Sequence, residues 1–285
     1  MAETNGHLVI ATGGTGGHFY PALAIAREFR RQGGVVSLLI AGHHPEEHVE
    51  LARKSGFVAF QTPSFRLPRG VRALPLFPFR MLGAVSRARE VLRRLTPDFL
   101  LGMGSFASAG PALAAVTFGI PLFLHEGNSV PGRANRFLSR WAKAMALSLP
   151  LADHKAPRCP VIITGMPLRD SILQAVAVPP EQADLLTGLG LSPNRSTLLV
   201  FGGSQGAAFL NGLLAGAAPI LASDHSRFQV IHLTGQEDNE SLEKAYRTAG
   251  IAAVVKQFDE SIERVYVAAD LVACRAGGST IAELA

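Results

Sequence analysis

His7-Leu8-Val9-Ile10-Ala11-Thr12-Gly13-Gly14-Thr15-Gly16-Gly17-His18 is the stretch that decides the fold of this chain. Residues 7–11 are a short apolar run, read as a strand, and Gly13 to Gly17 read as a turn. From Pro21 to Arg31 the residues Ala22, Leu23, Ile25, Ala26 and Phe29 recur at helical spacing. A glycine turn between strand and helix lets the backbone approach a phosphate, and the free N–H groups of the helix start favour negative charge.

The turn departs from two familiar phosphate loops. A dinucleotide fingerprint needs a third small residue where Phe19 stands, and an acid after the second strand, where the chain reads Ala41-Gly42-His43. No Gly-Lys pair exists in the chain, which excludes a Walker A loop. His18 falls at the carboxyl end of the first strand, where open α/β sheets place their ligands, and a neutral imidazole there could take a proton from an attacking hydroxyl. A plain tight turn and a merely solvated histidine remain the alternatives at this point.

Outward from the turn, short apolar strands alternate with helical patterns. Strands are expected over 35–41, 58–61, 99–103, 121–125 and 143–148, and helices near 46–55, 82–95, 111–118 and 133–141. Residues 157–169, rich in Pro and Gly, read as an interdomain connection. The pattern then restarts. A helical stretch near 181–188 precedes a strand over 197–201, the turn Gly202-Gly203-Ser204-Gln205-Gly206-Ala207 and a helix through Leu214. Strands over 228–233, 253–258 and 271–274 follow. We expect two Rossmann-like, doubly wound parallel-sheet domains, 1–163 and 164–285. With about four strands the second is thinner than a usual sheet of five or six, and it is expected to be incomplete.

Composition bounds the rest. The chain has 285 residues, 48% hydrophobic and 17% charged, which suits a packed α/β protein. Two cysteines, Cys159 and Cys274, make no disulfide or zinc pattern. The net charge of +5 has a location: between Arg66 and Arg94 lie eight arginines and one acid, Glu90. Among them stand Leu74, Leu76, Phe77, Phe79, Met81 and Leu82. An apolar cluster with an arginine rim fits docking on an anionic membrane surface, and no nucleic-acid motif is visible. A solvated helix is the plainer reading.

Three further motifs close predicted strands. His125-Glu126-Gly127-Asn128 places polar groups at a sheet edge. Ser204 and Gln205 can add side-chain hydrogen bonds to a pyrophosphate held at the second turn. Arg275-Ala276-Gly277-Gly278-Ser279-Thr280 makes a third small-residue turn, with Glu283 one helical turn on, suited to ribose hydroxyls. No Asp-x-Asp motif occurs, so a metal-dependent site of that type is not expected, and phosphate charge falls to helix dipoles and arginines.

These motifs together resemble the MurG family of bacterial cell-wall glycosyltransferases. The resemblance rests on Ala11 to His18 with Pro21-Ala22-Leu23-Ala24, Leu101-Gly102-Met103-Gly104, His125-Glu126-x-Asn128, Gly165-x-Pro167-x-Arg169, Gly202 to Ala207, and Cys274-Arg275-x-Gly277 to Glu283. It implies a GT-B fold, two Rossmann-like domains facing a cleft. It implies inverting transfer of N-acetylglucosamine from UDP-GlcNAc to the muramyl 4-hydroxyl of lipid I, undecaprenyl-pyrophosphoryl-MurNAc-pentapeptide. The product would be lipid II, made for peptidoglycan at the cytoplasmic face of the inner membrane, with no cofactor and no metal. His18 and Glu126 would be catalytic, on the acceptor side. Thr15, Gly16, Gly17, Asn128, Arg169, Ser204, Gln205, Gly206, Asp259, Gly278, Ser279, Thr280, Ile281, Ala282 and Glu283 would bind substrate. The sequence departs from the family pattern at Ser105 and Phe106, where Gly-Tyr is usual, at Gly127 for Gln and at Met166 for Asn. The family continues past Ala285 with further donor contacts, so the chain is expected to be truncated and, as it stands, inactive. The rival readings are another GT-B lipid glycosyltransferase, such as one acting on diacylglycerol, and an inactive membrane-docking or nucleotide-binding module.

Overall fold

The computed structural model describes residues 6–42, 45–64, 77–152, 157–203, 208–235 and 239–285. The chain divides into two compact units, Met1–Arg169 and Asp170–Ala285.

In the first unit, β1 (His7–Gly13), α1 (Gly16–Arg31), β2 (Val35–Ala41), α2 (Pro45–Lys54) and β3 (Val58–Gln61) run to one side of the sheet. Then α3 (Phe77–Leu95), β4 (Phe99–Gly102), α4 (Ala109–Thr117), β5 (Leu122–Glu126), α5 (Arg133–Leu138), β6 (Ala144–Leu147) and β7 (Val161–Ile163) run to the other. The seven strands pair in parallel in the order β3-β2-β1-β4-β5-β6-β7. Alternation along each strand feeds two cores. Leu8, Ile10, Leu38 and Ile40 pack with Phe19, Ala22, Leu23 and Ala26 of α1, whereas Val9, Ala11, Leu39 and Leu100 pack with Ala88, Leu92 and Ala112 of α3 and α4. A strand buried on both faces reads as a continuous apolar run, which is why periodicity locates these strands easily.

Two elements differ from the sequence reading. Helix α1 starts at Gly16, so Gly16, Gly17 and His18 form its first turn, and the N–H groups of His18 and Phe19 both bond the Thr15 carbonyl at 3.0 Å. Strand β7 lies inside the stretch read as a connection, hydrogen-bonded to β6 as an edge strand with all three side chains exposed. Flanking prolines 160 and 167 hide it, since proline is compatible with an edge. The segment after β7 also stays with the first unit. Thr164 N–H bonds Leu147 O at 2.9 Å and the Arg169 guanidinium stacks on Tyr20. The division therefore falls after Arg169, whereas the sequence reading put it after Ile163.

The second unit holds α6 (Asp170–Ala177), α7 (Gln182–Gly188), β8 (Ser196–Phe201), α8 (Ala208–Leu221), β9 (Phe228–Leu233), α9 (Asn239–Thr248), β10 (Ala253–Lys256), α10 (Ile262–Ala268), β11 (Leu271–Cys274) and α11 (Gly278–Leu284). Its four strands are parallel in the order β10-β9-β8-β11. A polar chain crosses its core. The Thr234 carbonyl can only accept, so Asn211 turns Nδ2 to it at 3.0 Å and Oδ1 to His232 Nε2 at 3.0 Å. Nε2 therefore carries the proton, and Nδ1 accepts from the Tyr246 hydroxyl at 2.9 Å. His232 is fully buried, and burial lowers its pKa to about 4.

A histidine with a depressed folded-state pKa binds protons less readily folded than unfolded. Its stabilisation is present above the ordinary 6.5 and is lost as pH falls towards 4. Urea unfolding of the second unit is expected to lose about 2 kcal/mol between pH 7 and pH 5 from this residue. His232→Gln should be less stable at pH 7 but lose less on acidification. An equal loss in both proteins would remove His232 as the cause.

Candidate active site

Strand order reverses between β1 and β4, since β2 follows β1 on one side and β4 lies on the other. At such a switch point the loops at the carboxyl ends part and leave a crevice for ligand. The loops after β1, β4 and β5 meet there. A Cβ built on Gly104 would lie 3.3 Å from Asn135 Nδ2, 3.7 Å from the His125 carbonyl and 3.7 Å from the His18 ring. Gly104 has φ +82°, a left-handed conformation, so glycine meets both the backbone and the space requirement.

His18 is half-buried in the first turn of α1. Its Nδ1 lies 2.9 Å from Thr15 Oγ1. When Thr15 accepts the Nδ1 proton, Nε2 carries the lone pair a base needs. Burial holds the imidazole below its ordinary 6.5, and the Glu126 carboxylate pulls the other way. His125 is buried at the end of β5, with Nε2 3.1 Å from Ser148 Oγ, which in turn donates to Met166 Sδ at 3.5 Å. Burial lowers its pKa to about 4 against the pull of Glu126, with His18 adding to the drop. Both imidazoles are neutral at pH 7.

Glu126, expected as a catalytic residue, is bonded into the loop after β5. The side chain is 4% exposed. Oε1 accepts from the backbone N–H and the Nδ2 of Asn128, both at 3.1 Å, and Oε2 accepts from Gly132 N–H and Asn135 Nδ2, both at 2.9 Å. Four donors fill a carboxylate's lone pairs. These four bonds tie Glu126 into the loop after β5. Asn128 likewise spends its Nδ2 inward. Asn135 was not singled out by the sequence. It is 1% exposed, donates also to the His125 carbonyl at 2.9 Å, and its Oδ1 is buried with no partner among the described residues. Only the tertiary fold brings α5 to this loop.

The second unit has its own reversal, with β8 between β9 and β11. Arg275, just past β11, donates through Nε to the Gly202 carbonyl at 2.7 Å, and its Nη2 donates to the same oxygen. The turns after β8 and β11 are thus tied together. Gly203 has φ +79° and needs glycine. Ser204, Gln205 and Gly206 lie outside the described residues. Asp259 closes the loop after β10, accepting from Ser261 N–H and Lys256 Nζ at 3.0 Å each. Gly278, Ser279, Thr280, Ile281, Ala282 and Glu283 all lie in α11, and Glu283 Oε2 accepts from the Tyr266 hydroxyl at 2.9 Å. The carboxylate expected to meet a ribose is engaged with α10.

Comparisons with known proteins identify the class. Residues 8–147 match the glycosyltransferase family 28 N-terminal domain and residues 197–285 its C-terminal domain. The protein is a glycosyltransferase of the GT-B fold class. A UDP-N-acetylglucosamine--N-acetylmuramyl-(pentapeptide) pyrophosphoryl-undecaprenol N-acetylglucosamine transferase of Geobacter metallireducens is 36% identical over 97% of this chain and 74% of its own. A transferase of the same name from Aliivibrio fischeri is 36% identical over 100% of this chain and 76% of its own. The crystal structure of Acinetobacter baumannii MurG superposes with a TM-score of 0.66 at 30% identity, covering 98% of this chain and 74% of that one. The chain belongs to the MurG family of glycosyltransferases.

An NMR titration of the His18 ring is expected to give a midpoint below 6.5, and a lower one in Glu126→Gln, because the carboxylate that raises it is gone. The same substitution sets an NH₂ against donors and should cost about 1–3 kcal/mol of stability. A midpoint that rises in the variant would contradict this electrostatic account.

Proposed function

We propose that the chain transfers N-acetylglucosamine from UDP-GlcNAc to the muramyl 4-hydroxyl of lipid I, giving lipid II with inversion at the anomeric carbon. The observation that carries the mechanism is a neutral imidazole at the switch point, with Thr15 on Nδ1 and no partner for Nε2 among the described residues. The acceptor hydroxyl attacks the anomeric carbon as the bond to the UDP oxygen breaks. His18 Nε2 takes the hydroxyl proton, and the electron pair of the broken bond leaves on the diphosphate. Gly16 and Gly17 allow backbone approach beside His18. On the donor side, the turn after β8, held by Arg275, and the small residues of α11 receive the UDP moiety. Glu126, Asn128 and Asn135 position the loop and do not exchange protons.

The arginine-rich stretch fits a membrane face. No helix among the described residues is long and apolar enough to cross a membrane. The start of α3 exposes Phe79 (73%) and Leu82 (66%) beside Arg80. Further along, Arg87 and Arg94 pair with Glu90, and Arg89 stacks over Phe118. Arg66, Arg69, Arg72, Leu74 and Leu76 lie outside the described residues. We read this face as docking on the anionic cytoplasmic leaflet, which gives a polyprenyl-linked acceptor access to the site.

His18→Ala should cut kcat by about 10²–10⁴-fold and leave UDP affinity unchanged. The acid limb of kcat/KM should lie below pH 6.5, because the base is needed neutral and its pKa is depressed. Full activity in His18→Ala would end its role as base. Transfer to diacylglycerol and not to lipid I would support the rival lipid transferase, and UDP-GlcNAc binding with no transfer would support the binding module. Phe79→Ser with Leu82→Ser should weaken binding to phosphatidylglycerol vesicles by on the order of tenfold or more. Unchanged vesicle binding would refute the membrane face.

A further inference from the structure

We propose that the outer faces of α8 and α9 pair with the same faces of a second copy of this chain, about a two-fold axis that runs the two α8 helices antiparallel. Helix α8 has no charged residue over its 14 positions. Asn211, Leu214 and Ala218 are its buried residues and face the sheet. On the opposite side Phe209 (83%), Leu213 (53%) and Ile220 (78%) are exposed, with Gly216 among them. A helix that faces water carries charge on that side, whereas one that is apolar all round is a buried helix. Its neighbour shows the contrast. Helix α9 shares a core with α8 through Leu214, Ala218, Leu242 and Tyr246, yet it exposes Glu240, Glu243, Lys244 and Arg247.

The pattern is complementary to itself, and this selects a second copy over other partners. An axis crossing α8 between Leu214 and Ala215 sets Phe209 against the partner's Ile220 and Leu213 against the partner's Gly216. A Cβ built on Gly216 would meet nothing within 4 Å among the described residues, so the glycine leaves a hollow in which the partner's Leu213 seats. On α9 the acids precede the bases. An axis between Glu243 and Lys244 sets Glu240 against the partner's Arg247 and Glu243 against the partner's Lys244, opposite charges in each case. Strands β8 and β9 end level, with Phe201 opposite Leu233, and both helices return from that edge, so the two midpoints fall at similar height and one axis serves both. An apolar strip beside charge pairs is the anatomy of a protein interface, a core with a polar rim. A lipid surface calls for no such order of signs. Two helix faces offer less area than a permanent dimer buries, so the pair is weak and depends on concentration.

The test is sedimentation equilibrium of the chain over a concentration series at low salt, with the melting temperature as a check on folding. The unaltered chain should show a monomer–dimer equilibrium. Leu213→Glu brings two carboxylates to an apolar axis and should weaken the dimer by more than about tenfold. Glu240→Arg alone, or Arg247→Glu alone, sets like charges across the axis and should weaken it by about five- to tenfold. The two substitutions together restore opposite pairs and should return the dissociation constant to within about twofold of its original value. Local damage to α9 would not be repaired in this way. A chain that is monomeric at every concentration overturns the proposal. So does an association that Leu213→Glu leaves intact, or one that the double substitution does not restore. Binding of a monomer to phosphatidylcholine vesicles that is abolished by Leu213→Glu gives the face to lipid and overturns the proposal as well.

Discussion

Strand β1 has β2 on one side and β4 on the other, and crossovers between parallel strands are right-handed as a rule. Helices that follow the two directions of travel must therefore cover opposite faces, as the two separate cores of the first unit record. Their leading loops diverge at the carboxyl edge and leave the crevice in which Thr15, His18, Gly104 and Glu126 gather. The second unit repeats the device with β8 between β9 and β11, and there Arg275 closes the gap onto the Gly202 carbonyl. The chemistry depends on this reversal, because no single segment of the chain carries enough groups to make a site.

Within the crevice, burial assigns the charges. An imidazole removed from water loses its proton more readily, so His18 and His125 are neutral. A buried carboxylate is tolerated only when donors replace its water, and Glu126 has four. Hydrogen-bond count distinguishes the two groups more clearly than residue type does, since His18 shows one partner among the described residues where Glu126 has four. The neighbouring departures from the family pattern form one packing event. A Cβ at Gly127 would lie 3.0 Å from Met166 Cε, so the side chain missing at 127 makes room for the thioether that accepts from Ser148.

Much of this was legible in the chain itself. The continuous apolar runs of β1, β2, β8 and β9 announce doubly covered parallel strands, because burial on both faces leaves no polar alternation to confuse with a loop. The first glycine turn was legible as a strand-to-helix junction, as β1 and α1 show, and Gly203, at φ +79°, as a position that suits glycine. The place of His18 at the carboxyl end of β1 was legible from its position after the first turn. The exposed β7 was not, because an edge strand of three residues between prolines has no local signature and exists only by pairing with β6. Nor could periodicity start α1 at Gly16, since glycines are poor helix formers and it is docking that holds that turn.

The sequence by itself determined the class of fold, the order of strands and helices, and the family. Those depend on local pattern and on motifs read in line. Only the tertiary structure decided that Glu126 is held by four donors in the loop after β5, that Asn135 joins it from α5, that Arg275 binds Gly202, and that Ser105 stands at a positive φ beside Gly13. Each of these is a contact between residues on different elements, and distance, burial and the count of donors around a group have no trace in the spacing of a single chain.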